Sequence, residues 1–481
     1  MGLMSPDSLR VVVIGGGISG LSAAYFLERQ SAPENPVRCT LLEASDRLGG
    51  KIQTEAIDGF LLEQGPDSLL ARKPQAIRLC GELGLGDDVV GSNPAIRGTF
   101  VLHRGRLEPL PESLVLVAPT KLRPFVTTRL LSPWGKLRAA ADLILPGRQD
   151  DGDESLAAFV SRRFGREMAD RIAIPLLASV FGGGNGDISV LATFPELRQL
   201  ERTHQSVLRG LRALSRQRGS SRQSSPFVTL RGGLHTLIDR LEATLHETNV
   251  RYRAEVRQIS ATTGSGRPPT YHVELASGEQ IDADAVILAA PAEVAGRLLR
   301  SIAPVAAAPL SSITSLPALI VAVAFGREQI THPLDGTGFL VPSDEGRSLI
   351  ASTWVTRKWP HASDPTKPLF RCYLGGADID RLMARDDAEL SALAVSELAD
   401  IIGISGPPML SRVYRWEKGL PHYAPGHLDR VRQAEEALQS WPGLVITGAS
   451  YRGIGIPDCI RQGEEAAKAI LQIPRPVAVG A

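Results

Sequence analysis

The stretch from Val11 to Gly20, with the acid Glu43 beyond it, constrains this chain more than any other feature. Val11-Val12-Val13-Ile14 is a short apolar run, Gly15-Gly16-Gly17-Ile18-Ser19-Gly20 follows at once, and Leu21, Ala24, Tyr25 and Leu27 then recur at helical spacing. That pattern reads as a strand, a tight turn and a helix. Gly15, Gly17 and Gly20 occupy the three glycine positions of a dinucleotide-binding fingerprint. One permits the turn, one lets backbone approach a pyrophosphate, and one lets the helix pack on the strand. The helix N-terminus directs free N–H groups and a partial positive charge at those phosphates. A second strand, Arg38 to Leu42, ends in Glu43. Its carboxylate can accept hydrogen bonds from both hydroxyls of an adenosine ribose and would repel a 2′-phosphate, which argues against NADP.

A chain of 481 residues exceeds what one core supports and predicts two or three domains. With 53 Lys and Arg against 52 Asp and Glu there is no net field to select nucleic acid, so any basic surface must be local. The four cysteines, Cys39, Cys80, Cys372 and Cys459, have no metal-ligand spacing, which predicts no metal site and fits a reducing compartment. Met1 to Arg10 has no basic segment followed by an apolar one, as a signal peptide would. The apolar run Ile313 to Phe325 contains Pro317 and falls short of the roughly 18 residues needed to span a bilayer. It reads as a buried strand. The expectation is a cytoplasmic protein with at most peripheral membrane contact.

Asp58-Gly59 predicts a hairpin whose second strand delivers Gly65-Pro66-Asp67-Ser68. After a strand pair near Phe100 to Leu110, segments rich in Leu, Ala and Arg predict a helical insertion punctuated by prolines, with helix starts at Ser132-Pro133 and Asp153-Glu154. Its cations Lys121, Arg123, Arg129, Lys136 and Arg138 would lie on an anionic membrane, cover a channel, or be a solvated face. Gly182 to Asp187 fails as a second nucleotide fingerprint, because Asp187 takes the third glycine position. Arg216 to Ser225 is a basic, serine-rich linker. A helix, strands and a hairpin turning at Ser277-Gly278 follow, then the apolar run Ala285 to Leu288. Strands at Ala318 to Phe325, Thr337 to Val341, Ser348 to Trp354 and Leu369 to Leu374, with a helix at Asp387 to Ile402, make the expected floor of a substrate pocket. Trp354 to Ala362 carries two tryptophans, two cations and a histidine, and either presents cations to carboxylates or is an exposed loop. Near the C-terminus, an apolar strand, a glycine-rich turn and Gly453-Ile454-Gly455-Ile456-Pro457-Asp458-Cys459 form a second helix N-terminus able to face an electron-rich group.

Ala44-Ser45-Asp46-Arg47-Leu48-Gly49-Gly50-Lys51, directly after the ribose acid, resembles the second signature of the FAD-dependent amine oxidase and protoporphyrinogen oxidase superfamily. Leu48 to Thr54, Gly65-Pro66-Asp67-Ser68 and Gly453 to Cys459 extend the resemblance to both ends of the chain. The chain resembles the protoporphyrinogen oxidase family, and within it the soluble Gram-positive type that acts on coproporphyrinogen III. The fold implied is α/β, with an FAD/NAD(P)-binding Rossmann-like domain discontinuous in sequence, an α+β substrate domain and a helical insertion. Residues 1–82, 218–291 and 412–481 would form the FAD domain, 83–97, 199–217 and 292–411 the substrate domain, and 98–198 the helical one.

The resemblance implies non-covalent FAD held by Gly15, Gly16, Gly17, Ile18, Ser19, Gly20, Glu43, Ala44, Arg47, Gly65, Pro66, Asp67, Ser68, Val256, Trp416, Ile454, Gly455 and Ile456. It implies a six-electron oxidation of coproporphyrinogen III in haem biosynthesis, with protoporphyrinogen IX also accepted, dioxygen as acceptor and hydrogen peroxide as product. Ferrochelatase-type enzymes of the same pathway would be partners. The family's substrate arginine falls at Thr99 here, so Arg97, Arg72 and Lys73 are the candidate propionate anchors, and Tyr373 is the candidate for assisting proton removal. A protoporphyrinogen IX oxidase proper, a flavin amine oxidase of the same fold, and a flavin-binding scaffold without turnover are the alternatives. Covalent amine oxidases need a cysteine in the turn Gly448 to Tyr451, and this chain has none.

Overall fold

The computed structural model describes residues 8–96, 98–111, 114–115, 118–119, 122–181, 186–217, 225–264 and 267–473. The opening motif enters a sheet built from β1 (Leu9–Ile14), α1 (Ile18–Gln30), β2 (Val37–Leu42), β3 (Asn249–Arg251), β4 (Ala285–Leu288) and β5 (Leu444–Ile446), followed by α2 (Ile456–Leu471). The strand order is β3-β2-β1-β4-β5 and every pairing is parallel. A parallel sheet has to be covered on both faces, which is why β1 is apolar at every position from Val11. Val11 and Val13 pack with α1, α2 and the helix His235–Thr244. Val12 and Ile14 pack on the other side with the antiparallel strands Val256–Gly264, Arg267–Leu275 and Gln280–Ala283 and with the helix Ala292–Leu299. Gly463 lets α2 lie directly on α1, since a Cβ there would be 2.5 Å from the Ser19 carbonyl oxygen.

The second sheet has seven strands, in the order Leu410–Pro421, Ser315–Ala324, Leu369–Leu374, Leu349–Trp354, Gly338–Leu340, Phe100–His103 and Arg106–Pro109. The predicted buried strand is its second member. Pro317, which cannot donate to the ladder, sits where the register slips between Leu316 and Ala318. The helix Asp387–Ile402 covers one face through Leu390, Ala394, Leu398 and Ile402. On the other face, Ala322 and Leu369 meet Phe60 and Leu62 of the hairpin, while Ala351 and Tyr373 meet the helical lobe. That hairpin turns at Asp58 and Gly59, both with positive φ, as Asp-Gly predicts.

Several expected boundaries differ from the observed pairing. Residues 83–97 are expected in the substrate domain, but Val89–Gly91 pairs with Phe227–Leu230, which pairs with Leu69–Leu70. Phe100–His103 and Arg106–Pro109 belong to the seven-stranded sheet rather than to the helical insertion expected from residue 98. Leu200, Val207, Leu208 and Leu211 share the apolar cluster of Phe159 and Ile172, so 199–217 packs within the lobe. A division at 412 would cut the strand Leu410–Pro421. These memberships depend on long-range partners that local periodicity does not carry. The helix expected to start at Asp153-Glu154 is capped instead by Ser155, whose side chain accepts from the Ala158 N–H. Residues 182–185 lie outside the described residues.

The helical lobe is centred on charge. Arg163 is fully buried, and its Nε donates to Asp142 Oδ1 at 2.6 Å while its Nη atoms donate to the carbonyls of Asp142, Pro146 and Gln205. Asp142 Oδ2 accepts from the Ser206 hydroxyl at 2.6 Å and from the Leu208 N–H at 2.9 Å. Glu201, also fully buried, accepts from Arg162 at 2.6 Å and pairs with Arg198. Removing one partner of such a pair strands the other charge in a low dielectric. Arg163→Met should therefore lower unfolding stability by about 3–5 kcal/mol, read from urea denaturation, and the loss should shrink when Asp142→Asn is added.

Candidate active site

The adenine end is assembled around β1. Gly15 has φ +110°, and a Cβ there would lie 2.7 Å from the Ala289 carbonyl oxygen; at Gly20 it would lie 1.9 Å from that of Gly15. Gly17, the N-cap of α1, offers no capping side chain, and nothing stands within 4 Å of where its Cβ would be. The free N–H groups of α1 therefore open onto space of the kind a pyrophosphate fills. Glu43 stands at the edge of this cradle: its Oε2 accepts from the Gly16 N–H at 2.7 Å, and its Oε1 accepts from the Ser45 N–H and hydroxyl, both at 2.8 Å. The Glu43 main chain bonds to Arg251 and Ala254, which brings buried Val256 beside β2, with Ala44 exposed at the rim. Arg47 donates to the carbonyls of Leu48 and Gly50, and the Gly49 N–H donates to the Gly16 carbonyl at 2.9 Å. An anion cradle, a fixed ribose-type acid and an apolar strand beside it fit an adenine dinucleotide.

The other end follows from short contacts. A Cβ on Gly65 would lie 1.8 Å from the Lys51 carbonyl oxygen, so the turn at 65–68 rests directly on the glycine segment at α1. Trp416 Nε1 donates to the Gln64 carbonyl at 2.8 Å. Gly455, the N-cap of α2, again has no capping side chain, with Ile454 before it and Ile456 opening the helix. Lys73 ties the chain after the turn to the first turn of α2, its Nζ lying 2.5 Å and 2.7 Å from the two Asp458 oxygens. Two uncapped helix N-termini and the turn at 65–68 are thus linked by contacts into one elongated site.

The structure redistributes the expected substrate contacts. Lys73 is engaged by Asp458, which offsets its charge, while its side chain stays partly exposed. Arg72 is exposed, and Arg97 lies outside the described residues. Tyr373 is on the seven-stranded sheet facing the lobe; burial pushes its hydroxyl up, against the opposing influence of Arg371, so it stays neutral more firmly than a free tyrosine and offers less tyrosinate to take a proton. Arg138, expected on a solvated or membrane face, instead donates to the carbonyls of Arg162 and Arg163 at the end of Leu156–Phe164.

Cations that sequence reasoning did not assign to the site, Lys358 and Arg371, lie behind the turn at 65–68. Lys358 Nζ is 3.0 Å from Asp67 Oδ2. Burial alone would push the Asp67 carboxyl up, but Lys358 and Arg371 hold it well below the usual carboxylate range. The segment Trp354 to Ala362 does present a cation to a carboxylate, but the carboxylate is internal, and both tryptophans are buried. On the opposite side, the Tyr423 hydroxyl donates to the Ala449 carbonyl at 2.6 Å and accepts from the Gly453 N–H at 2.9 Å, its ring stacked 3.8 Å from His427. No pattern marks Tyr423 in the sequence beyond its place in Leu420-Pro421-His422-Tyr423.

Glu63 accepts from the Leu234 N–H at 2.7 Å and the Thr54 hydroxyl at 2.8 Å, yet burial pushes its carboxyl up to about 7. With a folded pKa above the ordinary 4.5, its contribution to stability is full below about pH 4.5 and lost as pH rises through about 7. Glu63→Gln should keep an acceptor for the Leu234 N–H, reverse the bond to Thr54 so that the threonine hydroxyl accepts, and remove this dependence. Between about pH 5 and pH 8 the wild type should lose on the order of 2 kcal/mol relative to the variant, measured by urea unfolding.

The family model for flavin containing amine oxidoreductases matches residues 18–471. The chain is 38% identical to a Bacillus subtilis protein named coproporphyrinogen III oxidase, over 96% of this chain and 98% of that one. It is 33% identical to the Staphylococcus aureus protein of the same name, with the same coverage, and 33% identical to the protoporphyrinogen oxidase of Bos taurus, again over 96% and 98%. A crystal structure from Exiguobacterium sp. 255-15, provisionally named a protoporphyrinogen oxidase, superposes with a TM-score of 0.84 at 33% identity, covering 97% of this chain and 99% of that one. A cyclohexylamine oxidase from Brevibacterium oxydans shares the fold alone, at TM-score 0.68 and 18% identity. With that model spanning most of the chain, and full-length relatives above 30% identity, the chain belongs to the flavin containing amine oxidoreductase family, alongside the coproporphyrinogen III and protoporphyrinogen oxidases.

Proposed function

We propose that this protein is an FAD-dependent oxidase that converts coproporphyrinogen III to coproporphyrin III, a six-electron oxidation completed in three two-electron cycles, with dioxygen as acceptor and hydrogen peroxide as product. The observation that carries the reading is full-length similarity to proteins named for that reaction, in a chain that also has the dinucleotide cradle at α1 and Glu43. Protoporphyrinogen IX is proposed as a second substrate, on the similarity to the bovine protein. Bound FAD would supply the two-electron acceptor, and the remaining chemistry belongs to the protein.

The residues that would hold FAD are Gly15 to Gly20, Glu43, Ala44 and Arg47 at the adenine and pyrophosphate end, with Val256 beside them. Gly65 to Ser68, Trp416 and Ile454 to Ile456 would hold the ring end. The N–H groups opening α2 would stabilise negative charge there. Non-covalent attachment is supported by the cysteine-free turn at 448–451 and by Cys459, a buried thiol pushed up to about 11 by burial and so unreactive. The sheet from Ser315–Ala324 to Gly338–Leu340 would form the pocket floor. Tyr373 would stay neutral and act as a hydrogen-bond donor rather than as a base, and Arg72 and Arg97 remain the proposed propionate anchors. Val126, Trp134, Leu137 and Ile144 are between 55% and 83% exposed on one stretch of the lobe, with Arg129 beside them. This supports peripheral contact with an anionic membrane. No described helix is long and apolar enough to cross one. Product release to a ferrochelatase-type enzyme completes the reading.

Incubated in air with coproporphyrinogen III, the purified protein should raise porphyrin fluorescence well above autoxidation and release three peroxides per porphyrin. Protoporphyrinogen IX should be turned over more slowly; a clear preference for it would move the assignment to protoporphyrinogen oxidase. Acid precipitation should leave the yellow flavin in the supernatant, and mass analysis should identify it as FAD. Flavin retained on the denatured chain would contradict non-covalent binding.

A further inference from the structure

Arg371 is out of proportion to its partners. It lies on the strand Leu369–Leu374 and is only 5% exposed. Its Nη2 donates to the Gly65 carbonyl, while Nε and Nη1 find no acceptor among the described residues. Its guanidinium is 5.1 Å from the centroid of the Tyr373 ring. Burying a cation costs desolvation, and with the Gly65 carbonyl as its bonded acceptor among the described residues, a neutral side chain of similar shape would serve the fold as well or better. The neighbours do not cancel its charge either. Lys358 already faces Asp67 at 3.0 Å, and the remaining acid, Glu63, is about half protonated near neutral pH. With Asp67 taken by Lys358, Arg371 is a buried cation behind the turn at 65–68 with no ion-pair partner among the described residues. Arg371, Asp67 and Glu63 share the lining of a cavity of about 30 Å³ with Thr229 and His361. Burial keeps His361 neutral, pushing its pKa down with a further push from Arg231, so it adds no charge.

The turn itself rests on the Lys51 carbonyl, next to the glycines at α1, and the chain after it is tied to α2 through Lys73 and Asp458. A flavin held with its pyrophosphate at α1 and its ring toward α2 would pass this turn. We propose that Arg371 is a positioning residue that sets the flavin reduction potential, by fixing the Gly65 carbonyl and by leaving a net positive charge behind the turn at 65–68. Positive charge close to the ring in a low dielectric favours the reduced, anionic form over the neutral oxidised one. The inference rests on flavin binding and not on the identity of the electron donor.

The test is a reductive titration of purified holoprotein with dithionite and a redox dye, with no tetrapyrrole present. Arg371→Met should move the equilibrium about tenfold toward the oxidised flavin, about 30 mV for a two-electron couple. Arg371→Lys should recover most of that shift, because the charge remains although the planar fork is lost. An unchanged potential in the Met variant, or equal shifts in the Met and Lys variants, would overturn the proposal. If Arg371→Met does not retain flavin, Lys358→Met decides: it alters the same charge balance without touching the Gly65 carbonyl, so its potential must also fall, and an unchanged value is equally fatal. A wild-type protein without flavin absorbance would refute flavin binding itself, a different outcome from any of these.

Discussion

A parallel sheet cannot leave either face in water, and covering both faces of this one is the constraint on which the rest of the molecule depends. The cover comes from widely separated parts of the chain: α1 and α2 on one side, the three-stranded antiparallel sheet and the helix Ala292–Leu299 on the other. The close approach of α2 to α1, allowed by Gly463, sets two helix N-termini near each other. Each is left without a capping side chain, and in a water-filled or ligand-filled cleft such groups need an electron-rich partner. The pair of uncapped helix N-termini is thus a consequence of how the sheet is buried.

The second sheet is held against the hairpin at 54–63 and the turn that follows it by charge as well as by apolar contact. Phe60 and Leu62 pack on Ala322 and Leu369, but just beyond them Arg371 reaches the Gly65 carbonyl and Lys358 reaches Asp67. In a low dielectric such groups act strongly on one another, which is why Asp67 stays ionised while Glu63, one hairpin strand away, is pushed up by burial. The helical lobe follows the same logic. Arg163, Asp142, Glu201 and Arg198 are nearly or fully buried together, and their directional bonds lock the order in which the surrounding helices pack.

The opening βαβ motif, the Asp58-Gly59 hairpin, the strand around Pro317 and the helix Asp387–Ile402 were all legible before any coordinates, because each is written in local terms: glycines where backbone must approach, a turn dipeptide with positive φ, an apolar run of strand length, a helical period. The glycine segments were legible for a similar reason, since close backbone approach demands glycine and leaves a recognisable pattern. The pairings of Val89–Gly91 with Phe227–Leu230 and of Phe100–His103 with Gly338–Leu340 were not legible, because membership of a sheet is decided by partners far away along the chain.

Alone, the sequence determined the nucleotide-binding unit, the class of cofactor and the resemblance that points to a porphyrinogen. Tertiary structure decided which charges are free and which are spoken for. Lys73 and Arg371 are equally cationic in the sequence, yet one is neutralised by Asp458 while the other is buried with unmatched donors beside the turn at 65–68. The difference arises because a side chain's partners and its dielectric surroundings are set by long-range packing, which residue identity and spacing do not encode.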